Sequence, residues 1–411
     1  MAKLVGPQGD SHRGRPKARA AKSRHPRPLK LLGVVRRRRA ALMVSTALQA
    51  TVMLVLASPG GMSARAQPAP NAHPTGGQVV AGSAAISQSP STTTITQSSQ
   101  RAAVNWQSFD VGAAQRVQFK QPSASAATLN RVVGPNPSQI AGRIDANGQV
   151  ILVNQDGITF YKGAQVNAAG LVASAVGITN KNFMAGRLVF DQAAHPNARV
   201  ENRGNITVRD TGLAALVAPV VANSGVITAK LGHVVLAGAK AATLDLYGDG
   251  LLSIDVTRQV TQVPEGPDGK PVTALVTNTG TVLADGGTVQ LTARAADGVV
   301  QNLVTAGGRI SAGSVGGKRG VIALNGIGGS ITVSGRIAAT GQAPGTRGGH
   351  IEAVADRGVN VTGTARLDAS GQAGGGTVAV GTTLTRAKGG PTIHARMTAA
   401  KVAVHAGAVI A

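Results

Sequence analysis

The feature that most limits what this chain can fold into is a recurrence. Glycine pairs stand directly before short strand-like tetrads at Gly286-Gly287 (TVQL), Gly307-Gly308 (RISA), Gly328-Gly329 (SITV), Gly348-Gly349 (HIEA) and Gly375-Gly376 (TVAV). A second phrase, Asn-x-Gly ahead of an apolar pair, occurs at Asn202, Asn223 and Asn278, the first two separated by the same interval as the first glycine pairs. A period of about 20 residues, stretched once toward the carboxyl end, means one supersecondary unit per repeat, each burying its apolar side against the next. Two or three short strands with corners per period predict an all-β, right-handed, single-stranded parallel β-helix. Glycine is expected at the corners for its access to positive φ, and asparagine for that tolerance and for stacking into ladders. Leucine-rich repeats share the period, but their leucine framework and helical return are missing, and propeller blades need about twice the spacing.

Composition agrees with a thin, stacked core. The chain of 411 residues has 55 Gly and only one Trp, two Tyr and five Phe. An enzyme of this size ordinarily carries more aromatic bulk. A hydrophobic content of 43% in regular short runs argues against a disordered chain. There is no cysteine, which excludes disulfide staples, thiolate metal sites and a cysteine nucleophile. It also suits a chain that crosses a membrane unfolded. Of the net charge of +24, residues 1–66 hold +13 and residues 67–411 hold +11, without a dense basic stripe interleaved with aromatics. Nucleic acid is therefore not an expected partner.

Residues 1–66 have the order of an extended basic signal peptide: a Pro-containing basic run, then an uncharged apolar region at 40–58, then Ala64-Arg65-Ala66. Cleavage is expected after Ala66, with Ala64 and Ala66 the residues a signal peptidase reads. A signal anchor is the rival, because the apolar region could just span a bilayer. Pro68, Pro70 and Pro74 mark residues 67–77 as a flexible leader.

The segment that follows carries a recognisable signature. Its phrases are Asn105-Trp106-Gln107-Ser108-Phe109, Leu129-Asn130-Arg131-Val132-Val133, Asn136-Pro137-Ser138-Gln139-Ile140 and Gly142–Val150, then Val153-Asn154-Gln155-Asp156-Gly157-Ile158 and Gly170–Ser174. This resembles the secretion (haemagglutination activity) domain of filamentous haemagglutinins, especially the high-molecular-weight adhesin branch. The resemblance covers residues 78–260; residues 261–411 then read as Gly-rich stalk coils that stop inside the pattern, as in a truncated product. It implies a two-partner-secretion adhesin, taken across the inner membrane by the Sec translocon and across the outer membrane by a dedicated β-barrel transporter. The destination is the cell surface or exterior of a Gram-negative bacterium, reached through the periplasm, with a host or cell-surface receptor as a further partner and a monomer as the expected state. The same export domain could instead carry a cytolysin, a contact-dependent toxin or a nutrient-capturing protein.

The first coil needs a cap, since an open strand stack recruits other chains. Trp106, Phe109 and Phe119 are the expected cap-packing residues. Where the family has Asn-Pro-Asn-Gly, this chain has Asn154-Gln155-Asp156-Gly157; Asp-Gly keeps the turn chemistry without the proline restraint. Together with Asn136 and Pro137, that turn is a candidate transporter-recognition element, although a purely structural role explains it first. No catalytic, metal-binding or cofactor-binding residue is expected. A polysaccharide lyase or hydrolase would need paired carboxylates on neighbouring coils, and Asp245, Asp249 and Asp255 are the nearest approach. The eight histidines form no metal-ligand spacing, and His195, His233 and His350 read as surface imidazoles.

Overall fold

The computed structural model describes residues 67–244, 254–383 and 398–411. The signal region, including its apolar stretch and Ala64 and Ala66, lies outside the described residues.

Short strands alternate with corners and stack into three faces of eleven, twelve and nine strands, parallel throughout except for one antiparallel strand at the amino-terminal end of each of the first two. One coil shows the plan: Leu213–Ala218 on the eleven-stranded face, Val220–Asn223 on the nine-stranded face and Val226–Thr228 on the twelve-stranded face. Leu213 then lies beside His233 of the next coil, Val221 beside Val276, and Ile227 beside Val282. This is a parallel β-helix. Inward positions form one continuous column of small and branched side chains, from Ile95 through Leu236, Val289 and Ile337 to Leu367, all fully buried. Each such Val, Ile or Leu contributes about 1.5–3 kcal/mol, and every coil repeats the gain.

The coil length is not what the glycine pairs suggest. Early coils are short, as Ala127 pairs with Gln149, Gln149 with Gly170, and Leu213 with His233. Downstream, Thr288 pairs with Val321, Val321 with His350, and His350 with Thr377, so each of these coils is longer than any of the early three. The glycine pairs at 287, 308 and 329 open strands on three different faces, so their regular spacing is not a coil period. The Asn-x-Gly phrase, by contrast, does mark one position: Asn202, Asn223 and Asn278 are neighbours in register.

Many corner glycines also serve a different purpose from the expected one. A Cβ on Gly225, Gly280, Gly308 or Gly335 would collide with the carbonyl oxygen of the glycine one coil earlier, at 204, 225, 280 and 308. None of these four has a positive φ. They are required because the backbones of successive coils approach too closely at this corner for any side chain.

The amino-terminal end is closed by antiparallel strands: Gln78–Ala81 pairs with Arg101–Trp106, and Ala84–Gln88 with Thr92–Gln97. The segment before them is not a loose leader. Gly112 N–H donates to Ala72 O at 2.7 Å, Ala114 N–H to Pro70 O at 2.9 Å, and Thr75 N–H to Ser108 O at 3.0 Å. Backbone pairing across to residues 108–114 holds it down, a tertiary contact that local proline content does not reveal.

Two insertions interrupt the winding, one between 174 and 199 and one between 238 and 274. Their strands Gly177–Ile178, Leu188–Gln192, Ala241–Leu244 and Ile254–Arg258 form an antiparallel sheet of their own. A short helix, Asn180–Met184, precedes the second strand; the Thr179 hydroxyl caps it by accepting from Asn182 N–H, and its Phe183 is buried. This added layer covers the outer side of the eleven-stranded face. Phe183, Leu188 and Phe190 form a second core with Leu129, Ile151, Val172, Ala215 and Val235.

Candidate functional site

The two phrases singled out in the sequence, 136–139 and 154–157, come together at one corner of the helix. Ser138–Ile140 and Ile158–Phe160 are neighbouring strands of the nine-stranded face. Asn154 is fully buried, and its amide donates to Asn136 O at 2.9 Å and to Ser138 Oγ at 3.0 Å. Its own Oδ1 accepts from Asp156 N–H at 2.9 Å, while Gly157 N–H donates to Asn154 O at 2.9 Å. Asn154 thus folds the turn with one end of its side chain and ties it to the preceding coil with the other. Gly157 has φ +112°, and a Cβ there would strike Arg199 O. The turn survives loss of the proline because the asparagine and the glycine suffice.

The rim of this corner is accessible. Asn136 is exposed, Pro137, Gln155 and Asp156 are half-buried, and His195 closes over them from the first insertion. His195 Nδ1 is 2.7 Å from Asp156 Oδ1, His195 N–H donates to Gln155 O at 3.0 Å, and Gln155 Nε2 donates to Ala193 O at 2.8 Å. His195 is therefore an exposed imidazole with a carboxylate partner, an arrangement its place before Pro196 did not suggest.

At the capped end, Trp106, Phe109 and Phe119 are each at most 2% exposed. Trp106 and Phe109 meet edge to face with centroids 5.5 Å apart, and the indole N–H donates to Asn130 Oδ1 at 3.1 Å. The asparagines 202, 223 and 278 are buried and form a ladder: Asn202 Nδ2 donates to Asn223 Oδ1 at 2.8 Å, and Asn223 Nδ2 to Asn278 Oδ1 at 2.7 Å. With both ends of these amides engaged inside the protein, none offers a hydrogen bond to a partner.

On the twelve-stranded face a groove of about 470 Å³ runs across four coils, lined among others by Lys120, Gln121, Asp145, Asn167 and Arg209. Partial burial pushes the Asp145 carboxyl up. Hydrogen bonds from Asn167 and Arg143, with the charges of Arg116 and Arg143, outweigh that and hold it below the usual range. Its two ion pairs measure 2.7 Å to Arg116 and 3.3 Å to Arg143. Elsewhere, burial raises Asp110 despite its hydrogen bond from Gln139 N–H, and burial lowers His233, whose Nδ1 is enclosed without a hydrogen-bond partner. His233 is thus half-buried and not a surface imidazole.

Among the described residues no three His, Cys, Asp or Glu side chains converge as a metal set. Asp245 and Asp249 lie outside the described residues, and only the backbone of Asp255 is described, in the inserted sheet beside Thr243.

A capped parallel β-helix with an antiparallel layer on one face, its polar corner built around a buried asparagine, defines an export-type secretion domain when set beside known proteins. Residues 71–339 match the TPS secretion domain, and the chain belongs to that family of two-partner-secretion exoproteins. The HMW1 secretion domain from Haemophilus influenzae superposes with a TM-score of 0.66 at 29% identity, covering 82% of each chain. A stretch of 101 residues is 44% identical to a heme/hemopexin-binding protein of Haemophilus influenzae, and one of 81 residues is 47% identical to a second such protein. These stretches make up 25% and 20% of this chain but only 11% and 9% of those relatives.

Proposed function

We propose that this chain is the amino-terminal part of an adhesin exported in two steps, by the Sec translocon with signal-peptide removal after Ala66 and then by a dedicated outer-membrane β-barrel transporter. Membership of the secretion-domain family over residues 71–339 is the observation that carries this reading. In it, the secretion domain runs past the boundary expected at 260 to about 339 and residues 340–411 begin a stalk, a binding surface rather than an enzyme, acting at the cell surface or outside a Gram-negative bacterium. Asn154 and Gly157 shape the corner, and the accessible Asn136, Pro137, Gln155 and Asp156 are what the transporter reads. Trp106, Phe109 and Phe119 seal the first coil. Winding of coils outside the cell favours outward movement, because each added coil is stabilised by the last.

Nutrient capture is the second reading, favoured by the likeness to heme/hemopexin-binding proteins. The test is expression of the whole chain with and without a two-partner-secretion barrel transporter from the same organism. Accumulation outside the cell only when the barrel is present is the expected result. Equal amounts in both cases would refute two-partner export.

A further inference from the structure

The register of the twelve-stranded face places arginines directly above one another. Arg309 pairs with Arg336, and Arg336 with Arg366, on three successive coils. All three side chains are exposed, while the next residue of each strand, Ile310, Ile337 and Leu367, points into the core. Parallel neighbours are about 4.8 Å apart, so the guanidinium groups form a row with one positive charge per coil. Like charges directly opposite each other on adjacent strands destabilise a sheet. The same face shows how this protein otherwise handles that problem. On the early coils Arg116 lies beside Arg143 in the equivalent row, and Asp145 bridges both. Downstream the position two residues on is Ser311, Ala338 and Asp368, and Asp368 is turned to Ser370, with Oδ1 accepting from its N–H and hydroxyl. Arg366 donates to Ala365 O and to Gly407 O at 2.8 Å each. Arg309 and Arg336 have no hydrogen-bond or ion-pair partner among the described residues.

We propose that the Arg309–Arg336–Arg366 row is a docking strip for a linear acidic polysaccharide, whose regularly spaced carboxylate or sulfate groups replace the missing counter-charge. Arginine is suited to this because its planar fork pairs with such oxyanions through two hydrogen bonds. A sugar chain lying along the helix axis presents anions in the direction in which the arginines repeat. These three strands carry no aromatic side chain for base stacking, which disfavours a polynucleotide.

The test measures binding of the whole chain to polygalacturonate and to dextran sulfate, with neutral dextran and a single-stranded polynucleotide alongside, at about 50 mM salt. Three proteins are compared: wild type, R309Q/R336Q and R116Q/R143Q. The two variants lose the same net charge, so they separate the row from general attraction. The row predicts binding to one or both acidic polysaccharides, weakened about tenfold or more in R309Q/R336Q and little changed in R116Q/R143Q. It also predicts that R309Q/R336Q melts no lower than wild type, because a repulsion is removed. Equal loss in both variants, no loss in R309Q/R336Q, or no binding to either acidic polysaccharide would overturn the proposal. So would tighter binding of the polynucleotide.

Discussion

Asn154 and His233 show how single side chains set the local chemistry of this fold. The buried amide of Asn154 satisfies one carbonyl and one hydroxyl of the preceding coil and one N–H of its own turn. Both halves of the motif around it were visible in the sequence; that they touch was not, because contact depends on coil register. His233 is the opposite case, a histidine whose enclosure leaves Nδ1 unpaired and whose pKa burial lowers below the ordinary imidazole value. The unfolded chain then binds the proton more readily than the folded one, so His233 adds stability above its unfolded pKa of about 6.5 and loses it as pH falls through the lowered folded value. Asp110, raised by burial, acts with the opposite sign, but only toward the carboxylate range at lower pH. Between about pH 7.5 and 5.5, the wild-type melting temperature is expected to fall, and the fall to be smaller in His233→Gln. Identical pH profiles for the two proteins would remove this role from His233.

Among the elements, the inserted antiparallel sheet is the part the sequence concealed most. Its cause lies in the strands beneath: Leu213–Ala218 is buried at all six positions, whereas Thr288–Arg294 further along the same face largely alternates. A continuous apolar run signals a strand covered on both sides; the run LAALVA carried that signal, but the run alone could not say what does the covering. The segments that do so come from two insertions far apart in sequence, and neither has enough apolar length to stand out. The parallel β-helix itself was legible from short apolar tetrads and glycine corners. The glycine-pair spacing was a poor guide to coil length because glycines are needed at more than one corner. Phe190 tests the independence of the added layer. Phe190→Ala is expected to cost about 3–5 kcal/mol and to open residues 175–198, 239–244 and 254–258 to proteolysis, while strands at 288–355 keep their hydrogen-exchange protection. Simultaneous loss of protection throughout would mean that layer and helix fold as one unit.

As a whole molecule, one chain winds as a parallel β-helix whose coils lengthen toward the carboxyl end. Absence of native cysteine permits a direct measurement. Thr305 and Thr332 are register partners on the nine-stranded face, both half-buried and one coil apart. Ser311 and Thr332 are separated by the glycine-pair interval and would be neighbours if that interval were the coil length, yet they sit on different faces. Neighbouring parallel positions are roughly 4.8 Å apart, within the span a disulfide bridges. Under mild oxidation T305C/T332C is expected to form an intramolecular disulfide in most molecules, read by mass spectrometry, and S311C/T332C to stay reduced. Efficient closure of S311C/T332C with T305C/T332C left open would contradict the winding on which the rest depends.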